Sequence, residues 1–240
     1  MSQEETVLEE RLSREELKVV LQPHAIELIS RKDFRRLLRD LENLGFPSDV
    51  DHIFDNARKI IYQTSFIAFL AGKNKAAKEA RIQFWSVEEN DMPLIKKLRE
   101  KYFYDFDKIF RELITQIRLK DPEASKTLNR CDILLQMLTW QSYNKGKLAL
   151  WDDEILKPRF FQAQAYKYEG VFMFKTAGDE DVCDLCAPLS GQLSEDPHEM
   201  EMPPLHAWCR CEIVAIPTVE SVKGQERFLK KWWEEQQENE

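Results

Sequence analysis

Cys183-Asp184-Leu185-Cys186 is answered, after nineteen intervening residues, by His206-Ala207-Trp208-Cys209-Arg210-Cys211. Four of the five cysteines and two of the four histidines, His198 and His206, therefore fall within 29 positions. A CxxC turn lets two thiolates converge on one point, and an HxxC or CxC step brings a second pair to it. Together they supply the four soft or borderline donors that tetrahedral zinc takes. The span between them carries Leu189-Ser190-Gly191-Gln192, an acidic loop and Met202-Pro203-Pro204. It is long enough to turn back on itself and too short for a core of its own. A small metal-clipped lobe is the expectation.

Five candidate ligands compete for four places, so one should be a bystander. Disulfides across the loop and free thiols are the alternatives. The opening Met1-Ser2-Gln3-Glu4-Glu5 is acidic and has no apolar h-region. A reducing, cytosolic setting is therefore expected, where clustered cysteines more often bind metal or react. Catalytic zinc is disfavoured. The deaminase pattern needs H-x-E ahead of P-C-x-x-C, whereas His198-Glu199 follows the CxxC, and HExxH is absent. Structural zinc is the reading we favour, held by Cys183, Cys186 and two of His206, Cys209 and Cys211. His206 and Cys209 are preferred because HxxC spacing suits a knuckle, while Cys211 begins a strand.

Around the cluster the chain reads as β. Val171-Phe172-Met173-Phe174-Lys175 and Ile213-Val214-Ala215-Ile216 are short, apolar and β-prone, and Gly191-Gln192-Leu193 reads as a brief third strand. The small antiparallel sheet should pack on a helix over 133–148. The first 150 residues read as helices. Ser13-Arg14-Glu15-Glu16 is a capping box, and Pro23 should break the helix it opens. Further periodic segments run over 33–44, capped by Gly45, over 50–67, over 94–117 and from 134 to 143. Residues 154–168 read as an aromatic helix, and the tail over 219–240 as a charged helix. The fold class is thus α+β, a helical first half followed by a small zinc-clipped lobe and a C-terminal helix. The divisions fall at 1–125, 126–218 and 219–240.

The residues also carry a resemblance. Thr176-Ala177-Gly178-Asp179-Glu180-Asp181-Val182-Cys183-Asp184-Leu185-Cys186, then Leu189-Ser190-Gly191, then Pro203-Pro204-Leu205-His206-Ala207-Trp208-Cys209-Arg210-Cys211 resembles the signature of the phage Mu F-like head morphogenesis proteins. These are minor head (minor capsid) proteins of tailed phages and prophages. Leu138-Thr139-Trp140-Gln141-Ser142-Tyr143-Asn144-Lys145-Gly146 is similar to the helix that precedes the lobe in that family, so the resemblance covers about 130–217. The chain departs from the pattern at Ala207, where proline is usual, at Trp208, where a small polar residue is common, and at Trp140, where an acidic residue is frequent. The resemblance implies a non-enzymatic role in virion assembly, a place inside the procapsid and virion, and the host cytoplasm during assembly. Portal, head and scaffold proteins are the implied partners, with residues 1–125 as the arm that meets them. The same module also occurs in bacterial toxin or effector systems, the alternative reading; only about 23 residues follow the lobe, which favours the head protein.

A net charge of −8 argues against a general nucleic-acid coat. Lys73, Lys75, Lys78 and Arg81 are the obvious electropositive candidates for weak, non-specific DNA contact, although a solvated helix face is the preferred account of such a run. Phe66-Ile67-Ala68-Phe69-Leu70-Ala71, the longest apolar stretch, is far too short for a bilayer, so no membrane is expected. Trp232-Trp233 could anchor a partner or pack back on the helical half. Cys131 reads as a small buried hydrophobe. His24 and His52 lack metal-ligand spacing, and Asp179-Glu180-Asp181 reads as a turn into the CxxC knuckle rather than an acid cluster for catalysis.

Overall fold

Helices α1 (Pro23–Asn43), α2 (Asp51–Glu79), α3 (Met92–Arg118) and α4 (Ala124–Trp151) precede a three-stranded sheet in the computed structural model, which describes residues 22–43, 51–79, 91–152, 171–177, 182–194 and 196–216. The capping box at Ser13, Gly45, Arg81, the 154–168 segment, the acidic run at 179–181 and the 219–240 tail with Trp232 and Trp233 lie outside the described residues.

Pro23 opens α1, and the helix it was to break lies outside the described residues. The fixed φ of proline suits a first helical position, where its missing N–H costs nothing. Ile26, Ser30, Phe34, Leu38 and Leu41 then follow at three- and four-residue steps and are buried. The helix therefore begins ten residues before the 33–44 segment that sequence periodicity marked. Of the stripe expected in α3, Ile95, Leu98, Tyr102, Phe106, Ile109, Phe110 and Leu113 are buried and Ile117 is partly buried, whereas Leu94 is exposed. The end of α3 is a Schellman motif: Lys120 N–H donates to Ile117 O at 3.0 Å and Asp121 N–H to Gln116 O at 2.9 Å. Lys120 takes the left-handed position that glycine usually fills, with φ 53°.

Phe34, Phe54, Phe106 and Phe110 form an aromatic centre with ring centroids 5.2 to 5.8 Å apart. Cys131, Leu135 and Leu138 of α4 pack into the same core. Cys131 is fully buried as expected, and burial, then neighbouring Asp132, pushes its thiol up to about 12. Helix α4 thus shares a core with α1–α3 and also carries the lobe. It crosses α2 with almost no side chain between the two backbones. A Cβ at Gly72 would strike the Tyr143 carbonyl, and one at Gly146 the Phe69 carbonyl, each well inside 3.0 Å.

The sheet has the order β2–β1–β3, all antiparallel, with β1 Val171–Lys175, β2 Leu193–Ser194 and β3 Glu212–Ile216. The third strand sits slightly later than Gly191-Gln192-Leu193, because Gly191 (φ 76°) forms the turn before it. Phe172, Phe174, Ile213 and Ala215 point into a core with Ala76 and Ala77 of α2 and Leu148 and Trp151 of α4. The architecture is mostly helical, with a small antiparallel sheet and a Cys/His cluster late in the chain. Among the described residues no helix is long and apolar enough to cross a membrane.

Polar side chains are also buried along α4. Lys147 is 0% exposed, and its Nζ lies 3.1 Å from both Glu79 Oε1 of α2 and Glu212 Oε2 of β3. This triad ties the helical half to the strand that follows Cys211. The overlap of three elements at one point places Lys147 inside.

Candidate metal centre

Two reverse turns bring the donors together. In the first, Cys186 N–H and Ala187 N–H both donate to Cys183 O, at 3.0 and 2.9 Å, so the two thiols of the CxxC face the same side. Ala187–Leu189 continues as a short 3₁₀ turn. In the second, Cys209 N–H donates to His206 O at 3.2 Å. Trp208 has φ 65° and Ala207 a negative φ, the sign pattern of a type II turn. That turn carries His206 and Cys209 onto one side and delivers the chain to Cys211, one residue before β3.

All five sequence-predicted ligands meet. The donor atoms of Cys183, Cys186 and His206 lie within 4.8 Å of one another, as do those of Cys186, Cys209 and Cys211. Cys186 belongs to both groups. Cys183 Sγ is 2.9 Å and Cys186 Sγ 3.1 Å from His206 Nε2, and Cys186 Sγ is 3.8 Å from Cys209 Sγ. All five cysteines are free thiols and not disulfides. Cys211 was expected to stand aside at the start of its strand; its side chain instead turns into the cluster, buried at 3% exposure.

The chemistry of this donor set fits a metal ion. A tetrahedral thiolate site with metal–sulfur bonds of about 2.3 Å has sulfur–sulfur edges of about 3.8 Å, the separation of Cys186 and Cys209. His206 Nδ1 lies 2.6 Å from the Ala207 carbonyl oxygen. Because a carbonyl only accepts, Nδ1 must carry the proton, which leaves the Nε2 lone pair facing the thiols, as a ligating imidazole requires. The thiols are already polarised against one another. Cys209 is drawn down to about 5, chiefly by the hydrogen bond from Cys211 and against the effect of burial. Cys186 is pushed up to about 12, first by burial, and Cys211 is raised by holding its proton toward Cys209 and by burial. One divalent cation would replace the protons that these sulfurs now share. The residues Cys183, Cys186, His206, Cys209 and Cys211 could hold a metal, and its identity is not set by the donors alone.

The surroundings of the cluster come from α4 and from the sheet. Phe172, Phe174, Ile213 and Met200 supply an apolar wall. Asn144 Nδ2 donates to the Trp140 carbonyl at 3.0 Å and to the Pro203 carbonyl at 3.2 Å, pinning the loop just before His206. Gln136 reaches the second turn itself, donating to Cys209 O at 2.8 Å and accepting from Trp208 N–H at 3.0 Å. The Trp208 ring lies over Arg31 of α1 at 5.1 Å. Trp140 is buried, and its indole N–H donates to Glu27 at 3.3 Å, so a carboxylate from α1 serves that position. Sequence reasoning missed Gln136, Lys147, Glu79 and Glu212. The available signal was the polar series Asp132, Gln136, Asn144 and Lys147 on a helix whose other apolar positions already sufficed for a core.

The basic run on α2 is corrected at Lys73. Lys73 is buried at 2% side-chain exposure with its Nζ 2.6 Å from Asp91 Oδ2, so it cannot present its charge to a phosphate or form a solvated face. Lys75 pairs with Glu79 at 3.8 Å, and Lys78 is exposed. The run turns inward at its first member because Asp91, just before α3, meets the Lys73 ammonium there. His24 and His198 stand apart from the cluster; His198 Nε2 is 2.8 Å from Asp152 Oδ1.

No family model, curated protein or solved structure matches this chain.

Proposed function

We propose that this chain is a non-enzymatic assembly component of a phage or prophage head, a minor head protein acting at or near the portal. In this reading the helical half meets portal and scaffold proteins inside the procapsid, and the lobe is a rigid knob clipped by structural zinc. What supports it is that the two segments carrying the resemblance form one unit. Asn144 and Gln136, on the helix, hold the loop and turn that present His206 and Cys209, and five donors are enough to fill every position of a tetrahedral ion. A filled site favours a structural over a catalytic metal.

Elemental analysis of the reduced, full-length protein should find about one zinc per chain. The full chain co-expressed with the portal protein encoded beside it should retain that portal on purification. A metal-free reduced protein would remove the zinc clip from the reading. Genes for secretion and immunity as neighbours, with no portal retained, would overturn the head assignment in favour of an effector module.

A further inference from the structure

We propose that Gln136 of α4 is a positioning residue for the metal centre, setting the left-handed turn that aims His206 and Cys209 at Cys186; this rests on the metal reading above. Gln136 is 1% exposed and lies on a helix outside the lobe. Its amide makes both contacts that the turn offers, giving a hydrogen to Cys209 O and taking one from Trp208 N–H. Those two groups flank the ligand-bearing residue on either side of its Cα.

The turn needs such help. Trp208 holds φ 65°, a region that costs a side-chain-bearing residue on the order of 1 kcal/mol, and the usual remedy, glycine, is absent. A type II turn closed only by Cys209 N–H to His206 O could relax to negative φ at Trp208. That relaxation would swing Cys209 away from Cys186 and His206. Gln136 blocks it by fixing the Trp208 N–H and the Cys209 carbonyl from a helix that is itself anchored in the main core through Leu135 and Leu138. The amide therefore acts as an outer partner of the ligands, of the sort whose loss weakens metal sites about 10- to 100-fold.

The test uses cobalt(II) as probe with the full-length reduced protein, reading thiolate–cobalt absorption and affinity by chelator competition. Gln136→Met keeps length and apolar volume but neither hydrogen bond. It should bind one cobalt per chain about 10- to 100-fold more weakly than wild type, with the helical circular dichroism retained. Trp208→Gly, added to Gln136→Met, should recover part of that loss, because glycine takes positive φ without strain. A merely structural glutamine would lower the urea midpoint and leave cobalt affinity and the rescue unmoved, which would overturn the proposal. Should Gln136→Met fail to fold, Gln136→Asn, an amide one methylene short, takes its place with the same expected loss and the same overturning result. Wild type that binds no cobalt would sink the metal reading and this inference together, whereas wild type that binds tightly beside an equally tight Gln136→Met sinks only this inference.

Discussion

Gly146→Ala should destabilise this protein, although the same exchange in an ordinary helix interior stabilises it by about 1 kcal/mol. The reversal comes from the crossing of α2 and α4. A Cβ at position 146 would meet the carbonyl oxygen, carbonyl carbon and Cα of Phe69, the first two inside the 3.0 Å that real Cβ atoms essentially never breach. These are backbone atoms of another helix, so no side chain can rotate away. The helices must part by about 1 Å, which forfeits much of the dispersion attraction along the contact. Overpacking of this kind costs about 1–3 kcal/mol. The rigidity of the obstacle places Gly146→Ala at the upper end, for a net loss of about 2 kcal/mol after the propensity gain. In a chain of this size that corresponds to a melting temperature about 4–8 °C lower. Gly72→Ala should behave alike, since its Cβ meets Tyr143 across the same gap. Helices already parted by one methyl have room for the other, so the double variant should lose less than the sum of the two. Urea denaturation followed by far-UV circular dichroism measures all three. A Gly146→Ala protein as stable as wild type, or more stable, would refute the close crossing.

At the end of α3 the opposite sign is expected. Lys120→Gly should stabilise by about 0.4–1 kcal/mol, because the left-handed C′ position of the Schellman motif strains a lysine and suits glycine; an unchanged or lowered urea midpoint would speak against the φ of 53° there. The buried triad predicts a pH dependence. For Glu212, burial raises the pKa, but the charge and hydrogen bond of Lys147, followed by Lys175 and Lys75, outweigh it and hold the carboxyl below its ordinary 4.5. Its contribution to stability is therefore complete above that pH and lost as the pH falls through the lower folded value. Glu79 runs the other way, held above 4.5 chiefly by burial, so its protonation on acidification favours the fold. Urea midpoints across pH 3 to 6 (roughly the span of carboxyl titration) should fall less steeply below 4.5 in Glu212→Gln than in wild type; equal slopes would count against the Lys147 contact.

Local chemistry in the sequence was enough to locate the cluster, the main helices and the strands. CxxC and HxxC spacing depends only on the reach of a turn, so Cys183, Cys186, His206 and Cys209 could be named without knowing what lies around them. The stripes of α3 were likewise legible, because one apolar face against one core produces a simple 3.6-residue period. Legibility failed where a residue's environment is made by a distant part of the chain. Lys73 reads as solvated and is buried, because Asp91 waits eighteen residues along. Gln136 and Lys147 belong to no sequence motif, yet the turn at Trp208 covers the one and β3 the other. Cys211, the first residue before its strand, joins the thiols because antiparallel pairing of β3 with β1 sets the direction of its side chain. Composition and period describe what each segment wants to bury. Which polar groups end up buried together, and so which side chains hold the candidate metal centre in place, is decided only when α2, α4 and the sheet close on one another, since a buried polar group is tolerated only where a partner from elsewhere in the chain meets it.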